Sequence, residues 1–126
     1  MTEDEMLYKK AEEALKTAYA PYSNFKVGAA VLSASGKIYT GCNVENASYP
    51  ASICAERTAI VKAVSEGEKE LTKIAVASCR GDFTYPCGVC RQVLSEFMKN
   101  AFVIVGNGKE IKKFKVCELL PHSFTL

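Results

Sequence analysis

The segment KIAVAS, at residues 73–78, has no polar position between its ends. A strand without apolar–polar alternation has no face to give to water, so it must be covered on both sides. The segment AFVIVG, at 101–106, has the same character. Two interior strands of this kind, each preceded by a helix-like stretch, demand a sheet with helices above and below it.

The remaining elements follow from local signals. Thr2 with Glu5 makes a capping box, and Leu7, Ala11, Ala14, Leu15 and Ala18 then share one helical face, with Pro21 expected to end the helix. FKVGAAVLSA (25–34) reads as a strand, Ser35-Gly36 as a turn and KIYTGCNV (37–44) as the hairpin partner. A loop rich in Asn, Ser and Pro reaches Ile53. A helix from about Cys54 to Glu66 then buries Ala59, Ile60, Ala63 and Val64, and Gly67 closes it. A loop with Gly81 and Pro86 leads to a helix near Cys87–Met98. Asn107-Gly108 is a two-residue hairpin signal turning into KEIKKFKV (109–116), and CELLP (117–121) is a last helical turn. The order α-β-β-α-β-α-β-β predicts a three-layer α/β/α sandwich on a mixed five-stranded sheet. Its last two strands are antiparallel, because so short a turn allows no crossover. At 126 residues the whole chain, 1–126, is expected to be one domain.

A formal net charge of +2 argues against a nucleic-acid partner. The basic run KEIKKFK carries its own acid and has the alternation of a half-exposed strand. MTEDEMLYKK is charged and lacks the apolar segment of a signal peptide, and no apolar run is long enough to span a bilayer. A cytoplasmic setting is therefore expected, and in a reducing compartment six cysteines point to metal ligands or buried thiols rather than disulfides.

The chemistry concentrates in SICAERTAI (52–60) and PCGVC (86–90). A lone C-x-x-C can be half a zinc site, a redox pair or two incidental thiols. Here a third thiol, Cys54, also stands at a helix start. Cys87 and Cys90, one turn apart, point the same way, and a helix N-terminus lowers thiol pKa. Three sulfurs make an incomplete tetrahedron, as in catalytic zinc sites that leave one position open. His122, the one histidine, has no second ligand at metal spacing and reads as a surface or interface residue. Cys42, Cys79 and Cys117 read as small buried hydrophobes. Glu56, two residues past Cys54, is either an exposed acid favoured by the helix dipole or a proton-transfer group beside a metal. Arg57 either makes a surface ion pair or hydrogen-bonds the ligand sulfurs, drawing off the excess negative charge of three thiolates on Zn²⁺.

Cys54-Ala55-Glu56 with Pro86-Cys87-Gly88-Val89-Cys90 resembles the zinc-dependent cytidine deaminase family in its three-cysteine form. The likeness extends through APYSNFKVGAA (20–30), GCNVENASYP (41–50), ICAERTAI (53–60), PCGVCRQV (86–93) and ELLP (118–121). It implies one Zn²⁺ per subunit on Cys54, Cys87 and Cys90. It also implies hydrolytic deamination of cytidine and 2′-deoxycytidine to the uridine products and ammonia, with Glu56 moving the protons; this glutamate role is a known feature of the zinc deaminase signature. By the same resemblance Asn43 and Glu45 bind the ribose hydroxyls, Phe25 packs against the pyrimidine and the Ala55 backbone reads the base edge. The resemblance further implies a homotetramer in which Tyr49 and a C-terminal aromatic, here Phe124, come from neighbouring subunits. From the residues alone, Glu45 could be a solvated loop acid and Phe25 simple core.

Three other functions compete. A nucleic-acid cytosine deaminase is opposed by the modest charge and by the hairpin that leaves no room for a crossover helix before the last strand. A deaminase of another aminated nucleoside, such as a nucleoside antibiotic, is opposed by Asn43, Glu45 and Phe25 together. An inactive zinc-stabilised binding module is opposed by the intact Glu56 beside an incomplete ligand set.

Overall fold

The computed structural model describes residues 1–126. Helix α1 (Glu3–Ala14) opens with the expected capping box: Glu5 N–H donates to Thr2 Oγ1 at 3.1 Å and Thr2 N–H to Glu5 Oε1 at 2.9 Å. Glu3, Asp4 and Glu5 place negative charge on the positive end of the helix dipole. The helix tightens into a 3₁₀ turn at Leu15–Thr17 and stops there, ahead of Pro21 rather than at it. Beneath that end, α1 lies directly on the backbone of the first strand at Gly28. A Cβ on Gly28 would stand 2.0 Å from the Ala11 carbonyl oxygen, so only glycine allows the contact.

Strands β1 (Val27–Ser33) and β2 (Ile38–Cys42) form the first hairpin, with Gly36 at φ 91° in its turn. Helix α2 (Ala55–Ser65), strand β3 (Leu71–Ser78), helix α3 (Gly88–Met98), strands β4 (Phe102–Gly106) and β5 (Ile111–Lys115) and the short helix α4 (Val116–Leu119) complete the chain. The sheet order is β2-β1-β3-β4-β5. Only β3 and β4 run parallel, because α3 connects them as a crossover; the other neighbours are antiparallel. This is the mixed five-stranded α/β/α sandwich the sequence predicts.

KIAVAS does lie in the central strand, and its alternation sorts the two cores. Ile74 and Val76 pack with Ala59, Ile60 and Ala63 of α2 and Leu94 and Met98 of α3. Ala75 and Ala77 face the other way, onto Leu7, Tyr8 and Ala11 of α1. Small residues on that side let α1 approach closely. The same logic places α2 over β2: a Cβ on Gly41 would come within 2.5 Å of Ala59 N and 2.8 Å of Ala55 O. No helix is long and apolar enough to cross a membrane.

Two expectations are corrected. The β4–β5 connection is a four-residue loop, 107–110, not a two-residue turn, since Gly106 pairs with Ile111. Asn107 Oδ1 accepts the N–H groups of Lys109 and Glu110, and Gly108 alone takes positive φ, so an Asx turn replaces the primed turn. Antiparallel pairing survives the change. Cys79 and Cys117 are exposed and Cys42 half-buried, against the expectation of buried thiols. Cys42 ends an edge strand, Cys79 follows a strand end, and Cys117 lies on the outer side of a one-turn helix.

Candidate active site

The two cysteine motifs meet because their helices begin at the same end of the sheet. Cys54 is the N-cap of α2 and Cys87 the N-cap of α3; both have extended backbone (ψ 155° and 170°) and neither uses its side chain to cap. The sulfurs are therefore free of the helix and lie beside its unpaired N–H groups. Cys90, one turn into α3, is fully buried. The Sγ atoms of Cys54, Cys87 and Cys90 all lie within 4.8 Å of one another, with Cys54 and Cys87 at 3.9 Å. Zinc–sulfur bonds of about 2.3 Å at tetrahedral angles need sulfurs about 3.8 Å apart. The trio fits Zn²⁺ with one position left open. His122 is exposed and outside the cluster, with left-handed backbone at φ 57°.

Glu56 is not an exposed helix-start acid: it is 4 % exposed. Burial raises its carboxyl to about 7, and the negative charge of Cys54 pushes the same way. Arg57 Nη2 donates to Cys54 Sγ at 3.6 Å and to the Ser52 carbonyl at 3.4 Å. Its Nε is buried without a partner, a cost typically of about 1–3 kcal/mol, accepted to keep the cation against sulfur. Cys54 is drawn down to about 5, first by a hydrogen bond from Cys90, then by Arg57 and Cys87. Cys90, the donor in that contact, goes up. The sulfur atoms nearest Arg57 thus share negative charge even without a metal.

A cavity of about 160 Å³ opens onto this end of the sheet, lined by Phe25, Asn43, Cys54, Ala55, Glu56 and Cys87 together with Val27, Thr84 and Tyr85. It brings together most of the residues named from the sequence. The Asn43 side chain is engaged with the backbone beside Phe25: Oδ1 accepts from Val27 N–H at 2.9 Å and Nδ2 donates to the Phe25 carbonyl at 2.8 Å. Glu45 lines a different hollow of about 320 Å³ with Tyr22, Ser23, Asn46, Tyr49 and Ser52. Its carboxylate accepts from the N–H groups of Tyr22 and Ser23 at 3.0 and 3.1 Å and from the Ser23 hydroxyl. Tyr49 is 72 % and Phe124 69 % exposed, and neither reaches the cavity of its own chain.

Thr84 and Tyr85 are wall residues that the sequence reading passed over; their one signal was their place directly before Pro86-Cys87. The Thr84 hydroxyl is spent on Ser78 Oγ at 2.7 Å, while Tyr85 is set edge-on against Phe114, ring centres 5.7 Å apart. Arg91 was also passed over. Its Nε donates to the Pro86 carbonyl at 2.7 Å and its Nη1 to the Leu119 carbonyl at 2.9 Å, tying the cysteine loop to α4.

Known proteins resemble this chain in sequence and in fold. The family described as the cytidine and deoxycytidylate deaminase zinc-binding region matches residues 1–106. A cytidine deaminase of Halalkalibacterium halodurans is 46 % identical over 123 residues, covering 96 % of this chain and 93 % of the relative. A probable cytidine deaminase of Dictyostelium discoideum is 48 % identical over 116 residues, covering 91 % of this chain and 79 % of that one. The crystal structure of cytidine deaminase from Burkholderia pseudomallei superimposes with a TM-score of 0.92 at 41 % identity, covering 98 % of this chain and all (100 %) of its own. The cysteine trio, the buried glutamate beside it and these likenesses have one common explanation: the chain belongs to the zinc-dependent cytidine and deoxycytidylate deaminase family.

Proposed function

We infer that the protein hydrolyses cytidine and 2′-deoxycytidine to uridine and 2′-deoxyuridine with release of ammonia, the chemistry of pyrimidine salvage. The observation that carries this reading is the buried Glu56 carboxyl on the wall of a cavity also lined by Cys54 and Cys87 of the three-cysteine cluster. Zinc on Cys54, Cys87 and Cys90 supplies the Lewis acidity that makes water a nucleophile near neutral pH.

The chain's own residues do the rest. Glu56 takes a proton from water at the floor of the cavity and passes it to ring N3 as oxygen adds to C4. It then takes the proton of the new C4 hydroxyl to the 4-amino group, and the C4–N bond breaks as the C4 carbonyl forms, releasing ammonia. A carboxyl near 7 suits an acid that must both accept and donate close to neutrality. Arg57 holds the sulfurs and draws negative charge away from them. Phe25 faces the base, the Ala55 backbone meets its edge, and Asn43 and Glu45 serve the ribose. For Glu45 to do so, its carboxylate must share or exchange the Tyr22 and Ser23 bonds.

The active assembly is a homotetramer, in which exposed Tyr49 and Phe124 complete neighbouring pockets. Two large aromatic side chains left mostly in solvent support that reading.

Zinc-loaded protein given cytidine, 2′-deoxycytidine, cytosine and a single-stranded oligonucleotide tests the substrate class by ammonia release and ultraviolet change. Both nucleosides are expected to turn over and the oligonucleotide to stay intact. Turnover of the oligonucleotide alone would overturn the reading.

A further inference from the structure

The chain carries three arginines against thirteen lysines. Two of the three hold parts of the site: Arg57 lies on Cys54, and Arg91 clasps the carbonyl of Pro86. The third, Arg80, belongs to no ion pair and no assigned role. Its guanidinium carbon sits 4.4 Å from the centre of the Phe25 ring.

The backbone builds this contact. Strands β1 and β3 pair antiparallel, with Val27 opposite Ser78 as their last partners. One more backbone bond follows, Cys79 N–H to the Lys26 carbonyl at 2.9 Å, and the ladder then ends, because Lys26 N–H donates to the Cys79 side-chain Sγ at 3.3 Å. Arg80 follows Cys79 in the turn that ends β3, and its guanidinium lies over the ring of Phe25, the residue before Lys26. The turn runs from Ser78 to Gly81 and contains Arg80, with Gly81 N–H on the Ser78 carbonyl and Gly81 at φ 68°. Alternation along β1 puts Phe25 on the same face as Val27, Ala29 and Val31, toward α2 and the cysteines. Phe25 lines the cavity and Arg80 does not, so the guanidinium covers the ring from outside the wall. The Phe25 backbone is independently pinned by Asn43, which leaves Arg80 as the polar restraint on its side chain.

We propose that Arg80 is a positioning residue for the deamination reaction, clamping the Phe25 ring so that the cavity presents a fixed aromatic wall to the pyrimidine. The proposal rests on the reading of Phe25 as the base-facing residue. Arginine suits the task because its flat, weakly hydrated cation stacks on a ring face better than an ammonium does.

The zinc-loaded enzyme with Arg80→Met keeps an apolar stem and loses the charge. Its KM for cytidine is expected to rise about 2–5-fold, the scale of a partly exposed cation–ring contact, with kcat within about twofold of wild type. Arg80→Lys should recover most of that change. In a Phe25→Leu background, Arg80→Met should change KM no further. An unchanged KM, or the same rise in the Phe25→Leu background, would overturn the proposal. A fluorine resonance from 4-fluorophenylalanine at position 25 reads the clamp without any turnover. It should move and sharpen in Arg80→Met, and an unmoved signal contradicts the clamp. If the resonance moves in a protein that never deaminates cytidine, the substrate reading fails and the clamp stands.

Discussion

Arg57 Nη2 lies 3.6 Å from Cys54 Sγ, so the cation that follows the proposed shuttle on α2 is turned back onto the first sulfur of the cluster. Its charge is reinforced by that contact, Cys54 being the foremost cause of its raised pKa. Partners of metal ligands usually contribute about 10–100-fold in metal affinity or activity. Arg57→Ala is expected to keep stoichiometric zinc by metal analysis while kcat falls about tenfold or more. Full activity with an unchanged pH–rate profile would remove the charge-balance role.

Gly41 connects the fold to the chemistry, because α2 lies on it. A side chain there meets Ala59 N at 2.5 Å and Ala55 O at 2.8 Å, both backbone atoms that cannot move without moving the helix. Gly41→Ala is expected to lower stability by about 1–3 kcal/mol, as overpacking does. It should also weaken zinc binding, since the displaced helix start carries Cys54. Thermal unfolding of metal-free protein and zinc competition measure the two effects separately.

Glu56 makes the metal-free protein sensitive to pH. Its folded pKa is raised to about 7 from an ordinary 4.5. A raised folded pKa contributes stability that is present below 4.5 and lost as pH rises through 7, at most roughly 3 kcal/mol for this buried group. Glu56→Gln removes that loss. The stability of metal-free Glu56→Gln relative to metal-free wild type should therefore grow between pH 4.5 and pH 8. Denaturant unfolding at the two pH values checks it, and a pH-independent difference would contradict the account.

Cys54, drawn down to about 5 and half-buried, is the thiol that should react first in metal-free protein. Iodoacetamide at pH 6 followed by peptide mapping is expected to find label on Cys54, and saturating zinc should prevent it. Labelling that zinc leaves unchanged would place the metal elsewhere.

Much of this is legible in the sequence. KIAVAS could only be a central strand, and its Ile–Val and Ala–Ala faces separate two cores in the folded chain. The cysteine trio was legible because each motif carries its own helix start. Long-range register was not. Nothing near Arg80 says that its side chain lies over Phe25 until the pairing of β1 with β3 brings their ends together. Asn43 and Glu45 are two apart on an extended segment, yet line different hollows, because Tyr22 and Ser23 fold back to hold the Glu45 carboxylate. Asn107-Gly108 suggested the shortest hairpin, but the Asn107 side chain bonds the backbone two and three residues on and widens the loop. The burial of Glu56 was equally hidden, since the residues that share its cavity come from several separate segments.

The central claim is that Glu56 moves the protons in cytidine deamination beside a zinc held by Cys54, Cys87 and Cys90. The most direct measurement is ammonia release from cytidine by wild type and Glu56→Gln at equal, verified zinc content. Wild type is expected to yield one ammonia and one uridine per cytidine. Glu56→Gln should bind the same zinc and lose at least about 10²-fold in kcat, the lower end for a lost acid–base group. Near-normal turnover by Glu56→Gln with zinc in place would contradict the account.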